Sequence, residues 1–294
     1  SVREGRLTGP DYDFIRKLLK QRSGLTLSDE KQYLVESRLM PVAQRNGSVS
    51  VSELARRLRA GIDEALIAEV VEAMTTNETF FFRDRLPFDH LKSFILPSLL
   101  ATRAGHKRIR IWCAAASTGQ EPYSLAMTMK EMGCQLDGFR IEILATDLSN
   151  EVLEKARSGI YSQFEVQRGL PIQMLIKYFT QVGEMWQIAP DIRAMVQFRP
   201  LNLLADFGRN GIFDLVVCRN VLIYFDQGTK ASILERMSRI LEADGVLALG
   251  AAESVVGITE AFKPYPDRRG MYCPNVARAA PRIVAPRMCS VSAR

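Results

Sequence analysis

The sequence has little histidine and no paired cysteines. Its two histidines, His90 and His106, fall in no candidate motif, so nothing points to proton transfer by imidazole. Its five cysteines (Cys113, Cys134, Cys218, Cys273 and Cys289) are odd in number, widely spaced and without a C-x-x-C pair. That argues against a zinc cluster or a disulfide framework and fits a reducing cytoplasm, with no metal expected. No run approaches the roughly 18 uninterrupted apolar residues of a membrane helix, so no membrane insertion is expected. The opening residues Ser1-Val2-Arg3-Glu4-Gly5-Arg6 have no apolar core behind them, which reads against a secretory signal. Neither G-x-G-x-x-G nor the Walker G-x-x-x-x-G-K-[ST] occurs, so a phosphate cradle is not indicated.

What is present is an ordinary globular composition: 294 residues, 47% apolar and 24% charged. At roughly 150 residues per domain this is about two domains. The net charge of +6 needs dissecting before it is read as nucleic-acid binding. Residues 277–294 hold Arg278, Arg282, Arg287 and Arg294 and no acid, so this tail carries +4 and leaves +2 for the rest. The folded part therefore lacks a phosphate-tracking footprint, and no nucleic-acid partner is expected. The Ala-, Pro-, Arg- and Ser-rich tail reads as disordered.

Residues 10–76 read as a small helical domain. Phe14, Ile15, Leu18 and Leu19 recur at helical spacing, and Ser28 stands as an N-cap before Asp29-Glu30. Ser52 is the expected cap of a helix through Leu54, Ala55 and Leu58, ended by Gly61, and Ile62–Met74 gives a fourth helix. Pro41 is expected to kink or end the second helix near Met40. That helix carries Lys31, Arg38 and Arg45 at seven-residue spacing, roughly on one face. The face is either solvated or a docking stripe for a partner.

Beyond about residue 86 strands alternate with helices. Strands are expected at 108–113, 140–145, 196–198, 213–218 and 245–250, a pattern that argues a parallel, doubly wound sheet. Residues 179–182 and 185–188 read as a hairpin around Gly183-Glu184, with the strand at 196–198 nearby, giving a small antiparallel insert over about 178–198. The expected division is therefore a helical domain (1–76), a linker (77–85), an α/β domain (86–276) and a tail (277–294).

Ligands of such sheets bind beyond the carboxyl ends of the strands. Ser117-Thr118-Gly119-Gln120-Glu121-Pro122 follows the first strand, where Glu121 suits a cation. Asp147 ends the second strand, as a ribose partner, a helix cap or both. Asn202 follows the third, as an adenine contact or a turn residue. Arg219-Asn220 ends an apolar fourth strand, where a guanidinium needs a partner acid or a wet cleft. Tyr224 points a hydroxyl into the same cleft or sits in the core. The linker Thr76-Asn77-Glu78-Thr79-Phe80-Phe81-Phe82-Arg83-Asp84 places three aromatics between polar residues, for interdomain packing or for closing over a ligand.

At these residues the sequence resembles the CheR-type chemotaxis receptor methyltransferases, which use S-adenosylmethionine to methylate glutamates of methyl-accepting chemotaxis proteins. The resemblance runs over about 10–275. It rests on Thr76–Arg83, Cys113-Ala-Ala-Ala-Ser117-Thr-Gly-Gln-Glu121-Pro-Tyr-Ser124, Ala145-Thr-Asp147-Leu-Ser149, Ala156-Arg-Ser-Gly-Ile-Tyr161 and Cys218-Arg-Asn-Val-Leu-Ile-Tyr-Phe225. It implies an all-α domain ahead of a class I methyltransferase, a Rossmann-like α/β fold with a small antiparallel insert. It further implies cofactor contacts from Asn77, Thr79, Arg83, Glu121, Asp147, Asn202, Leu203, Arg219 and Asn220, with Arg83 and Tyr224 near the methyl group. The implied product is S-adenosylhomocysteine, and the implied receptor-facing parts are the helical domain and the insert. In some members the insert binds a receptor pentapeptide through a longer loop. The short turn at Val182-Gly183-Glu184 leads to the expectation that this tether is not bound. A monomer is expected. The rival readings are a cofactor-binding adaptor without catalysis and a nucleic-acid amino-methyltransferase. The latter typically ends the fourth strand with Asn- or Asp-Pro-Pro-aromatic, which Arg219-Asn220-Val221-Leu222 does not supply.

Overall fold

A computed structural model describes residues 6–276; the basic tail at 277–294 lies outside the described residues. Four helices form the first part: α1 (Gly9–Ser23), α2 (Gln32–Arg45), α3 (Val51–Ala60) and α4 (Glu64–Met74), with a 3-10 turn at Asp29–Lys31. Their apolar faces close one core around Ile15, Leu19, Val35, Leu39, Leu54 and Val70, all fully buried. Three local expectations need correction. The cap of α3 is Ser50, whose hydroxyl accepts from the Glu53 N–H; Ser52 lies inside the helix. Ser28 precedes the 3-10 turn but makes no side-chain cap. Helix α2 runs through Pro41 to Arg45. Pro41 and Ser37 lie on the exposed face, so water can serve the Ser37 carbonyl that the proline cannot.

The second part begins with one helical run, α5 (Leu86–His90), a π turn (Leu91–Ile95) and α6 (Leu96–Thr102). There follow β1 (Arg108–Cys113), α7 (Gln120–Glu131), β2 (Arg140–Asp147), α8 (Asn150–Ser158), β3 (Ile160–Ser162), α9 (Gln163–Gln167) and α10 (Ile172–Tyr178). The chain continues through β4 (Phe179–Val182), β5 (Met185–Ile188), α11 (Pro190–Arg193), β6 (Val196–Pro200), β7 (Phe213–Cys218), α12 (Gln227–Arg239), β8 (Leu241–Leu249), β9 (Phe262–Pro264) and β10 (Met271–Pro274). The large sheet has the order β6-β2-β1-β7-β8-β10-β9. Its first five strands are parallel, and β10 and β9 add antiparallel to the β8 edge.

Alternation along β1 shows why both faces are covered. Ile109, Ile111 and Cys113 enter one core with Tyr123 and Phe81, while Trp112 enters the other with Phe207 and Leu234. The small sheet has the order β3-β5-β4, with the two-residue turn at Gly183-Glu184 joining β4 to β5. Its third strand is Ile160–Ser162. The strand at 196–200, expected near the insert, belongs wholly to the main sheet, where Val196 pairs beside Ile143.

Candidate active site

The carboxyl ends of β1, β2, β6 and β7 open onto a cleft of about 930 Å³, counting its solvent-open mouth. The strand ends and the segments that follow them supply Ala114, Ser117, Glu121 (first turn of α7), Asp147 (last residue of β2), Asn202, Leu203, Arg219 and Asn220 to its walls. The linker adds Asn77, Thr79 and Arg83, the turn after β7 adds Tyr224, and the helical part adds Ser23, Leu25 and Met74. Every candidate cofactor residue named from the sequence thus meets at one cleft, as do Arg83 and Tyr224.

The floor is ionic. Arg219 is buried, and its guanidinium bonds Glu121 Oε2 at 2.6 Å, Asp84 Oδ2 at 2.7 Å and the Arg83 carbonyl at 3.1 Å. The cation that suits Glu121 is therefore Arg219, delivered from 98 residues away. Burial pushes the Glu121 carboxyl up from its ordinary value, and the adjoining guanidinium opposes that shift. The Cys113 thiol donates to the other Glu121 oxygen at 3.5 Å and is itself driven up by burial. Among the described residues the Arg219 Nε has no partner.

Asp147 stitches two loops. It accepts from the Ser117 N–H at 2.8 Å through one oxygen and from the Ser149 N–H at 3.0 Å through the other. Burial raises its carboxyl, against these two N–H groups. Ser149 caps α8, so the cap role considered for Asp147 falls to its neighbour. Ser117, given no contact of its own from the sequence, sits at φ +49° and donates its hydroxyl to the Asn77 carbonyl at 2.9 Å, joining the linker to the β1 loop. The Asn202 amide is already engaged: it donates to the Arg22 carbonyl at 2.6 Å and accepts from the Leu204 N–H at 3.0 Å. In this arrangement it works as a turn residue and an interdomain tie.

Arg83 and Tyr224 are half-buried. Arg83 donates to the Glu78 carbonyl at 3.0 Å and lies 5.6 Å from the Phe80 ring. The three aromatics divide their tasks. Phe81 is fully buried between Tyr161 and Phe179, Phe82 packs on Phe88, and Phe80 lies between Arg83 and Arg168. Phe82, Asp84 and Arg85 all have φ between +49° and +67°, an uncommon run for residues with a side chain. Of the docking stripe, Lys31 is exposed, Arg38 donates to the Met74 carbonyl at 3.1 Å, and Arg45 pairs with Glu69 at 2.7 Å.

The donor set fits S-adenosylmethionine. A carboxylate ends β2 where a ribose would lie, small Ala114 and Ala115 let a ligand approach the backbone, and Met74, Leu148 and Leu203 offer apolar contact to a base. Five parallel strands with an antiparallel strand beside β8, and this cleft beyond them, define a class I methyltransferase. Residues 10–75 match the family described as CheR methyltransferase, all-alpha domain, and residues 77–271 match CheR methyltransferase, SAM binding domain. The chain is 42% identical over 262 residues to chemotaxis protein methyltransferase 1 of Pseudomonas aeruginosa, covering 86% of this chain and 93% of that protein. A chemotaxis protein methyltransferase of Pseudomonas putida is 40% identical over 257 residues, with 86% and 93% covered. One of Vibrio parahaemolyticus is 39% identical over 260 residues, with 87% and 94% covered. The chain belongs to the CheR methyltransferase family, whose catalytic part binds S-adenosylmethionine.

Proposed function

We propose that the protein esterifies glutamate side chains of methyl-accepting chemotaxis receptors in the cytoplasm. The observation that carries this reading is the pairing of Arg83 and Tyr224 on one cleft with no imidazole beside them. A glutamate with a pKa of about 4.3 is already ionised at neutral pH, so the reaction needs no general base. When bound, S-adenosylmethionine supplies a methyl group on a cationic sulfonium; the C–S bonding pair stays on sulfur in S-adenosylhomocysteine. Arg83 holds the incoming carboxylate, and the Tyr224 hydroxyl aims one oxygen at the methyl group. Arg83 shares its charge between the Glu78 carbonyl and the Phe80 face, so it orients the nucleophile without sequestering it. Displacement of water from the cleft by the two bound substrates favours a step in which opposite charges cancel.

Asn77, Thr79, Asp147 and Asn220 are assigned to the cofactor, with Glu121 and Arg219 supporting them as an ion pair. The helical part faces the receptor. Its Arg45 is exposed and pairs with half-buried Glu69, and it is the cation of this face assigned to an acidic receptor surface. The two-residue turn at Gly183-Glu184 supports the absence of a strong pentapeptide tether.

Labelled methyl transfer to receptor membranes tests the reading. Base-labile label released as methanol is expected. Base-stable label on RNA supports a nucleic-acid substrate instead, and tight cofactor binding without transfer supports an adaptor.

A further inference from the structure

Glu253 lies just past β8, is 8% exposed, and does not line the cleft. Its carboxylate accepts four backbone N–H groups. One oxygen takes Asn220 at 2.6 Å and Gly250 at 2.9 Å; the other takes Val221 at 3.2 Å and Ile223 at 3.3 Å. No lysine or arginine pairs with it among the described residues, so oriented peptide dipoles alone balance its charge. Its own N–H closes a turn onto the Gly250 carbonyl at 3.0 Å. A Cβ on Gly250 would stand 2.7 Å from Glu253 Oε1 and 2.8 Å from Asn220 Oδ1, so the clamp closes only around a glycine.

Three of the four N–H groups belong to the loop after β7. That loop presents Asn220, at φ +59°, Val221 and Tyr224 to the cleft. Its other side is held by the helical part, where the Thr26 N–H donates to the Tyr224 carbonyl at 2.9 Å. The loop is thus held by hydrogen bonds from two sides, with Leu222 buried in the core beneath it, and the Glu253 side lies within the methyltransferase fold.

We propose that Glu253 is a positioning residue that fixes the 220–224 loop so that Asn220 and Tyr224 face the bound substrates. The proposal rests on the assignment of Tyr224 to the methyl-transfer step. The side chain is chemically specific. Glutamine offers one acceptor oxygen and turns an NH2 toward two N–H donors, and aspartate keeps the charge but falls one methylene short.

The test uses the full chain with Glu253→Gln and, should that fold poorly, Glu253→Asp. The expected result is a kcat lowered by roughly 10- to 100-fold, the scale of a misplaced reacting group. Hydrogen exchange at the Asn220, Val221 and Ile223 amides should speed up without ligand, while β1 and β2 keep their protection. The affinity for S-adenosylhomocysteine should fall through Asn220. In a Tyr224→Phe background the same substitution should cost little more kcat. Unchanged exchange with unchanged kcat overturns the proposal. So does loosening of β1 and β2 to the same degree, or an equal additional kcat loss in the Tyr224→Phe background. A wild-type protein that transfers no methyl to receptors overturns the proposed function instead, and loop exchange and S-adenosylhomocysteine affinity then decide Glu253 by themselves.

Discussion

At the Asp147 carboxylate, two jobs meet: holding the Ser117 and Ser149 N–H groups and facing the cleft. Asp147→Ala should weaken S-adenosylhomocysteine binding by about 1.5–3 kcal/mol, the scale of one lost charge-assisted hydrogen bond. Calorimetry checks this, and an unchanged Kd would count against the ribose role. Arg83→Ala should lower turnover severely while shifting unfolding free energy by no more than about 0.5 kcal/mol, because among the described residues the side chain's one hydrogen bond is to the carbonyl of exposed Glu78. A substitution that spares turnover removes Arg83 from the reaction. Gly169→Ala should destabilise by more than about 1 kcal/mol in urea unfolding: its φ is +82°, and a Cβ would stand 2.1 Å from the Phe81 carbonyl oxygen. Single residues differed in how far the sequence revealed them. Asp147 was legible because a carboxylate at a strand end has few purposes. Arg219 was legible as a buried cation in need of an acid, but Glu121 is identified as that acid only once β1 and β7 lie side by side. Glu253 carried no signal, since its partners are main-chain groups that any sequence would possess, three of them 30 or more residues earlier.

Elements with a clear period were readable, and short or locally contradictory ones were not. The hairpin β4–β5 alternates and turns on a glycine at φ +63°; its third strand has three residues, too few to show a period. Proline argued for a break in α2, but tertiary burial of Val35, Leu39 and Val42 holds the helix together across it. The attachment of the small sheet to the main fold has a testable electrostatic component. Glu131, at the end of α7, accepts from Lys177 at 2.7 Å and from the Tyr178 hydroxyl, both on α10. The hydrogen bond from Lys177, then that from Tyr178, hold its carboxyl below the ordinary value of 4.5. A depressed carboxylate stabilises the fold fully above that value, and the contribution is lost as pH falls through the lower folded value. Urea unfolding of the wild type against Glu131→Gln should therefore differ at pH 7 and converge as the pH falls through the depressed folded value. A difference that persists or grows in acid would contradict this.

Across the whole molecule the helical part does more than sit beside the catalytic fold. Lys20 pairs with Asp226 at 2.9 Å, Glu72 accepts from the Ser149 hydroxyl and the Glu151 N–H, and Leu148 packs on the helical core. Since Ser23, Leu25 and Met74 line the cleft, S-adenosylhomocysteine should slow hydrogen exchange around residues 23–26 and 74–77 as well as in the α/β domain. Protection confined to the α/β domain would show that the helical part does not contribute to binding. The interdomain ties join residues far apart in the sequence, so they left no trace in composition. The two glycines of the insert region also mark where this architecture tolerates redesign. Gly169 is pressed against the linker, so any graft there disturbs the reactive end of the molecule. Gly183 meets nothing within 4 Å of where a Cβ would stand. The hairpin tip is therefore an open port: loops of other lengths can be spliced in at Gly183-Glu184 without touching any residue that lines the cleft.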